Sequence, residues 1–84
     1  MAKILVVDDE EGIRDTVKEI LEDEGYEVTL AENGDAARKA RQMRRADLIL
    51  LDIWMPDIDG ITLLKEWSED GEIETPVIMI SGHG

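Results

Sequence analysis

Two apolar segments of this chain each end in aspartate. Lys3-Ile4-Leu5-Val6-Val7 runs into Asp8-Asp9, and Asp47-Leu48-Ile49-Leu50-Leu51 runs into Asp52. Short, continuous aliphatic runs of this kind predict strands buried on both faces, which is the habit of parallel sheets. Parallel strands share one carboxyl edge, and open α/β sheets place their sites there. Asp8, Asp9 and Asp52, far apart in sequence, are therefore predicted to meet in one small acidic pocket.

The segments between these strands predict helices. After β1 (Lys3 to Val7), a helix α1 is expected from about Glu11 to Glu24, with Ile13, Val17, Ile20 and Leu21 on its inner stripe. Gly25 is a natural C-terminal stop. Tyr26 to Ala31 alternates Tyr26, Val28 and Leu30 with Glu27 and Thr29 and predicts a half-buried edge strand, β2. Asn33-Gly34 is read as a turn. A helix α2 is expected from Asp35 to about Met43, with Ala36, Ala37, Ala40 and Met43 facing inward. Strand β3 is Asp47 to Leu51. The loop Ile53-Trp54-Met55-Pro56-Asp57-Ile58-Asp59-Gly60 holds a Pro and a Gly and continues neither element. Asp59 is placed to cap α3, which runs to about Glu69 with Ile61, Leu64 and Trp67 inward. Pro76 to Ile80 gives β4, ending in Ser81-Gly82-His83-Gly84. The order β1-α1-β2-α2-β3-α3-β4 with right-handed crossovers predicts an open, doubly wound parallel sheet. Ser81 lands at the same carboxyl edge as the three aspartates.

Length and charge narrow the function classes. With 84 residues the chain makes one small domain. A chain this short buries only roughly 60–65% of the surface its unfolded form exposes, so marginal stability is expected. There is no cysteine, hence no disulfide or thiolate metal site. Met1-Ala2-Lys3 leads directly into a strand and no apolar run is long enough to cross a bilayer, so a cytoplasmic protein without membrane contact is expected. The net charge of -12 disfavours direct contact with nucleic acid. Arg38, Lys39, Arg41, Arg44 and Arg45 crowd five of the nine basic residues into eight positions, which is read as a solvated helix face rather than an anion site.

Carboxylates crowded into one pocket repel each other. Either one takes a proton or a cation neutralises them. A hard, oxygen-seeking ion such as Mg2+ suits one or two carboxylates plus water and phosphate, whereas Ca2+ usually wants more protein oxygens than this edge offers. An aspartate beside such an ion can attack a phosphoryl group and form an aspartyl phosphate. The Ser81 hydroxyl is placed to donate a hydrogen bond to it. The plainer reading, that these aspartates only cap helices, competes for Asp8-Asp9 alone and weakens once Asp52 ends a second buried strand.

Asp8-Asp9 after the first strand, Asp52 after the third, Met55-Pro56-Asp57-Ile58-Asp59-Gly60 beyond it, and Ser81-Gly82-His83-Gly84 after the fourth together resemble the receiver domain of bacterial two-component response regulators. The resemblance covers the whole chain and looks closest to the nitrogen-regulation NtrX/NtrC branch. It implies a flavodoxin-like fold and a phosphoacceptor role for Asp52, with a sensor histidine kinase as donor. It implies Mg2+ held by Asp9, Asp52 and the backbone carbonyl of Trp54, with Asp8 acting mainly through water. Ser81 would be the switch hydroxyl, and Pro56 and Gly60 would shape the loop. The Trp54 indole is expected exposed at the pocket mouth, Trp67 in the core, and His83 in a loop without a phosphate-carrying role.

The resemblance also implies an incomplete domain. The family's closing elements, α4-β5-α5, amount to roughly 35–40 further residues by ordinary element and loop lengths. The family's lysine and switch aromatic on that fifth strand have no match here, since Lys3, Lys18 and Lys65 stand elsewhere. Impaired phosphorylation is therefore expected of the 84-residue chain. Self-association is expected through the open β4 edge and the uncovered sheet face. Two other functions compete. An aspartyl-phosphate phosphatase commonly carries a second acid two residues after its nucleophile, but here that position is Trp54. A receiver-like interaction module without phosphotransfer often loses the acidic residues that this chain keeps.

Overall fold

In the computed structural model, residues 1–43, 45–69 and 74–80 are described. They form β1 (Lys3–Val7), α1 (Glu11–Asp23), β2 (Glu27–Ala31), α2 (Gly34–Met43), β3 (Leu48–Asp52), α3 (Gly60–Glu69) and β4 (Val77–Ile80). The four strands are all parallel, in the order β2-β1-β3-β4. This is the open, doubly wound sheet that the strand and helix spacing predicts, in the flavodoxin-like order that the resemblance implies.

The alternation of side chains along each strand divides the sheet into two faces. Leu5 and Val7 of β1, Ile49 and Leu51 of β3, Ala37 of α2, and Leu63 and Trp67 of α3 form one buried cluster, with Val77 and Met79 of β4 packed on it. Each fully buried aliphatic side chain of this kind contributes about 1.5–3 kcal/mol. The opposite face carries Ile4, Val6, Leu50, Ile78 and Ile80. There α1 packs mainly on β2 and β1. Its Ile13, Val17 and Leu21 are half-buried as predicted, but Ile20 is 58% exposed. Ile20 stays in water because, among the described residues, no helix lies beside α1 over β3 and β4. Ile78 on that half of the sheet is 51% exposed for the same reason.

Three further expectations are corrected. Met43, read as part of the inner stripe of α2, is 83% exposed. At 3.6 residues per turn it lies about 120° around the helix from the fully buried Ala37. Ile61, read as inward, is 49% exposed, and the buried positions of α3 are Gly60, Leu63 and Trp67. Here too the displacement from Trp67 is about 120°. Asn33-Gly34 is not a free turn. The Asn33 Oδ1 accepts the Ala36 N–H at 2.8 Å, and Gly34 is the first residue of α2. The pair starts the helix instead of reversing the chain.

Chain reversals are otherwise specified locally. Gly25, at φ 91°, closes α1. Its N–H donates to the Glu22 carbonyl at 3.0 Å, and the Tyr26 N–H reaches back to the Leu21 carbonyl at 3.1 Å. This is the paired-bond helix stop that favours glycine in a left-handed conformation. Asp59 caps α3, accepting the Thr62 N–H at 2.8 Å. The basic run faces solvent and neighbouring carboxylates. Arg38 makes a bidentate pair with Glu66 of α3 (2.8 and 3.1 Å). The Arg41 guanidinium lies 5.1 Å from the Trp67 ring centroid, while Lys39 and Arg45 pair with Asp35 and Glu74. Arg44 lies outside the described residues.

Gly60 is packed against backbone at the sheet's carboxyl edge. A Cβ there would collide with the Asp52 backbone carbonyl and press on Met79. The backbone at the end of β3 has no room to yield. Gly60→Ala is expected to destabilise the fold by about 2 kcal/mol, in the range of other overpacked cores. The unfolding midpoint in urea checks this; an unchanged midpoint contradicts the packing described.

Candidate functional site

Register brings the acidic residues together. Val7 of β1 and Leu51 of β3 are Cα partners in adjacent strands. The next residue on each strand is therefore an aspartate facing the other across one inter-strand spacing, about 4.8 Å. Both are held at this edge by the ladder beyond them. The Asp8 N–H donates to the Ala31 carbonyl at 3.1 Å, and the Ile53 N–H donates to the Ile80 carbonyl at 3.0 Å. Asp9 follows on the exposed side, and one carboxylate oxygen from each of Asp8, Asp9 and Asp52 lies within 4.8 Å of the others.

The two strand-end aspartates are used in the same way. Asp8 Oδ1 accepts the Glu10 N–H at 2.9 Å, and Asp52 Oδ1 accepts the Trp54 N–H at 3.3 Å. Each closes a local turn two residues on, as aspartate does at the start of loops. The Arg14 guanidinium on α1 adds a bond to the Asp8 carbonyl at 2.8 Å, tying the helix to the end of β1. That leaves Asp8 Oδ2 and Asp52 Oδ2. Both are buried and neither has a hydrogen-bond partner. Asp8 is 1% exposed and Asp52 is 0% exposed. Unpaired buried carboxylate oxygens are costly and uncommon in folded proteins. Burial raises Asp52 above the usual carboxylate range, the neighbouring Asp8 and Asp9 push it the same way, and only the Trp54 N–H opposes them. The edge thus offers hard oxygen donors and concentrated negative charge, with two buried oxygens that no described residue hydrogen-bonds. Those are the requirements of a small divalent cation such as Mg2+, and the residues present fit one.

The expected site residues divide accordingly. Asp8, Asp9 and Asp52 converge. Trp54 contributes its backbone N–H to the site, and the residue is 56% exposed. Trp67 is in the core, at 2% exposure. Ser81 and His83 lie outside the described residues. At this edge the sequence did not reveal the contacts of Arg14, Asp57 and Gly34. Arg14 reads as an ordinary helical cation. Asp57 reads as a loop acid after Pro56, yet its carboxylate binds the Gly34 N–H across 23 positions. Gly34 in turn sits so close to Ile58 that a Cβ would collide with it. No local spacing reveals partners that far apart.

No helix among the described residues is long and apolar enough to cross a membrane. Comparison with known proteins agrees with the geometry. The family model of the response regulator receiver domain matches residues 4–84. The nitrogen assimilation regulatory protein NtrX of Azorhizobium caulinodans is 47% identical over 83 residues, 96% of this chain and 18% of that protein. The transcriptional regulatory protein ResD of Bacillus subtilis is 45% identical over 82 residues, 98% of this chain and 33% of that protein. The chain thus spans about a fifth to a third of the length of these curated relatives. Response regulator TrrA from Thermotoga maritima, solved in complex with Mg(2+)-BeF, matches with a TM-score of 0.90 at 40% identity, covering 100% of this chain and 72% of that one. NtrX from Brucella abortus matches with a TM-score of 0.89 at 49% identity, covering 100% of this chain and 20% of that one. A buried aspartate pair at the carboxyl edge of a 2-1-3-4 parallel sheet, matched by family over nearly every residue, places this chain in the response regulator receiver domain family.

Proposed function

We propose that this chain is a phosphoacceptor receiver of a bacterial two-component system, taking a phosphoryl group from a sensor histidine kinase onto Asp52 in the cytoplasm. The observation that carries this reading is the pair of buried, unpartnered oxygens, Asp8 Oδ2 and Asp52 Oδ2, with Asp9 beside them. An oxygen that neither turns nor ladders use is one that a ligand or a reaction can use.

Asp9, Asp52 and the Trp54 carbonyl would hold Mg2+, with Asp8 supporting it mainly through water. The bound ion would supply positive charge that favours the ionised form of Asp52 and offsets charge on the phosphoryl oxygens. The chain's own residues do the rest. The Trp54 N–H holds Oδ1 of Asp52 and so orients the carboxylate. An ionised Asp52 oxygen attacks phosphorus as the P–N bond of a donor phosphohistidine breaks. The electron pair of that bond returns to the imidazole nitrogen, which takes a proton from solvent. Ser81 is the proposed switch hydroxyl that meets the transferred group. TrrA, solved with Mg(2+)-BeF at 40% identity, supports the choice of ion.

The domain is proposed to be an incomplete receiver over residues 1–84, and its chemistry impaired. Among the described residues no ammonium or guanidinium group hydrogen-bonds Asp8 Oδ2 or Asp52 Oδ2, and the proposed impairment is that the bound ion carries most of the charge neutralisation. With a small phosphodonor such as acetyl phosphate, the 84-residue chain is expected to label slowly and incompletely, only with Mg2+, and not at all after Asp52→Asn. Intact-mass measurement checks this. Label that persists in the Asp52→Asn variant contradicts the assignment of the acceptor; rapid stoichiometric label contradicts the impairment.

Self-association is proposed through β4. It is the last strand in the described sheet, and Ile78 on its uncovered face is 51% exposed. Open apolar edges of this kind pair with other chains. Sedimentation of the 84-residue chain at tens of micromolar is expected to show dimers or larger species, shifted toward monomer by Ile78→Lys. A compact monomer at that concentration contradicts the proposal.

A further inference from the structure

The loop between β3 and α3, residues 53–59, is fixed at three places. Two belong to the elements that it joins. The Gly60 N–H closes the loop onto the Ile53 carbonyl at 2.8 Å. The Gly60 backbone rests against the Asp52 carbonyl. The third is Asp57, which reaches a different element. Its Oδ1 accepts the Gly34 N–H at 3.0 Å and its Oδ2 accepts the Asp35 N–H at 3.0 Å, so one carboxylate caps the first turn of α2. Ile58 follows and packs directly on Gly34.

This contact lies at the surface, but it is bidentate and α2 does not need it as a cap. A carboxylate on two amides at the positive end of a helix makes charge-assisted bonds. Those amides, Gly34 foremost, hold Asp57 below the usual carboxylate range. Yet α2 already has its own cap in Asn33. What Asp57 adds is a tie between α2 and the loop. Only Met55 and Pro56 separate it from Trp54. Met55 packs on the core cluster, and the Pro56 ring fixes its own φ. A link so short and so restricted passes the position of Asp57 on to the Trp54 peptide.

We propose that Asp57 is a positioning residue for the acidic site: by latching loop 53–59 to the first turn of α2, it presets the Trp54 peptide beside Asp52. This rests on the reading above that a divalent cation binds Asp9, Asp52 and the Trp54 carbonyl. Coupling of this kind is reciprocal. If the latch favours the cation, the cation must tighten the latch by the same factor. Occupancy of the site is then felt at the N-terminus of α2, through backbone amides that touch no metal ligand.

The test is a Mg2+ titration of the 15N-labelled 84-residue chain, followed by amide hydrogen exchange. In the wild-type chain the Gly34 and Asp35 amides should shift with the same Kd as Asp9 and Trp54, and exchange more slowly in saturating Mg2+. Asp57→Ala should raise the Mg2+ Kd at least about fivefold, and Asp57→Asn, which keeps the side-chain volume and one acceptor, should fall between. Asn33→Ala is the control. It removes a cap from the same helix without touching the loop, so it should weaken α2 and leave the Mg2+ Kd unchanged. The inference is overturned if Asp57→Ala binds Mg2+ within twofold of wild type, or if Asn33→Ala weakens binding as much. Should Asp57→Ala not fold, Asp57→Asn and wild-type exchange decide, and Gly34 and Asp35 protection that does not follow Mg2+ overturns the inference. No Mg2+ response at Asp9 in the wild-type chain overturns the cation reading beneath it, which is a different and separable result.

Discussion

The pairing of β1 with β3 is the constraint on which the site depends. Because Val7 and Leu51 are register partners, the residues that follow them must be neighbours. A slip of one residue in β1 would turn Leu5 and Val7 out of the cluster formed with α2 and α3 and put Asp8 out of step with Asp52, so the observed register is what sets the aspartates side by side. The site is thus not assembled separately from the fold. The same hydrophobic pattern that stabilises the sheet sets two carboxylates side by side, and the core opposes their repulsion.

The two carboxylates also share an arrangement. Each gives one oxygen to the turn that leaves its strand and keeps the other buried and unpaired. The turn bonds orient the side chains before any ligand arrives, so little freedom is lost on binding. In the ligand-free molecule the arrangement costs stability, because charge is desolvated beside like charge. Local strain of this kind, tolerated by a structure well determined elsewhere, is common at functional sites.

The parts of this molecule legible in the sequence are those written in local pattern. The aliphatic runs ending in Asp8 and Asp52 fix two strands, their parallel pairing and the acidic edge. Gly25 and Asp59 mark helix boundaries by chemistry confined to a few residues. Helix faces were less legible. Ile20, Ile61 and Met43 are apolar and suitably spaced, but which side of a helix is covered depends on neighbouring elements that periodicity does not report. Asn33-Gly34 has the composition of a turn, and only the approach of Asp57 and Ile58 shows why a helix must begin there with glycine. The latch was invisible for the same reason: its two halves lie 23 positions apart.

The central claim is that Asp52 is buried beside other carboxylates at a cost that a bound cation would relieve. Its pKa in the folded chain is raised above the unfolded value near 3.8. A raised carboxyl binds its proton more tightly when folded. Its stabilising contribution is full below that unfolded value and is lost as pH rises through the folded one. The most direct test is the urea stability of the wild-type chain and of Asp52→Asn from about pH 4 to pH 8, with and without Mg2+. Comparing the two variants cancels the other carboxylates. Without Mg2+, Asp52→Asn should gain on wild type as pH rises. With Mg2+ at about a hundred times its Kd, wild type should recover about 2.7 kcal/mol at neutral pH, and the variant should recover much less. A difference between the two that ignores both pH and Mg2+ would contradict the account.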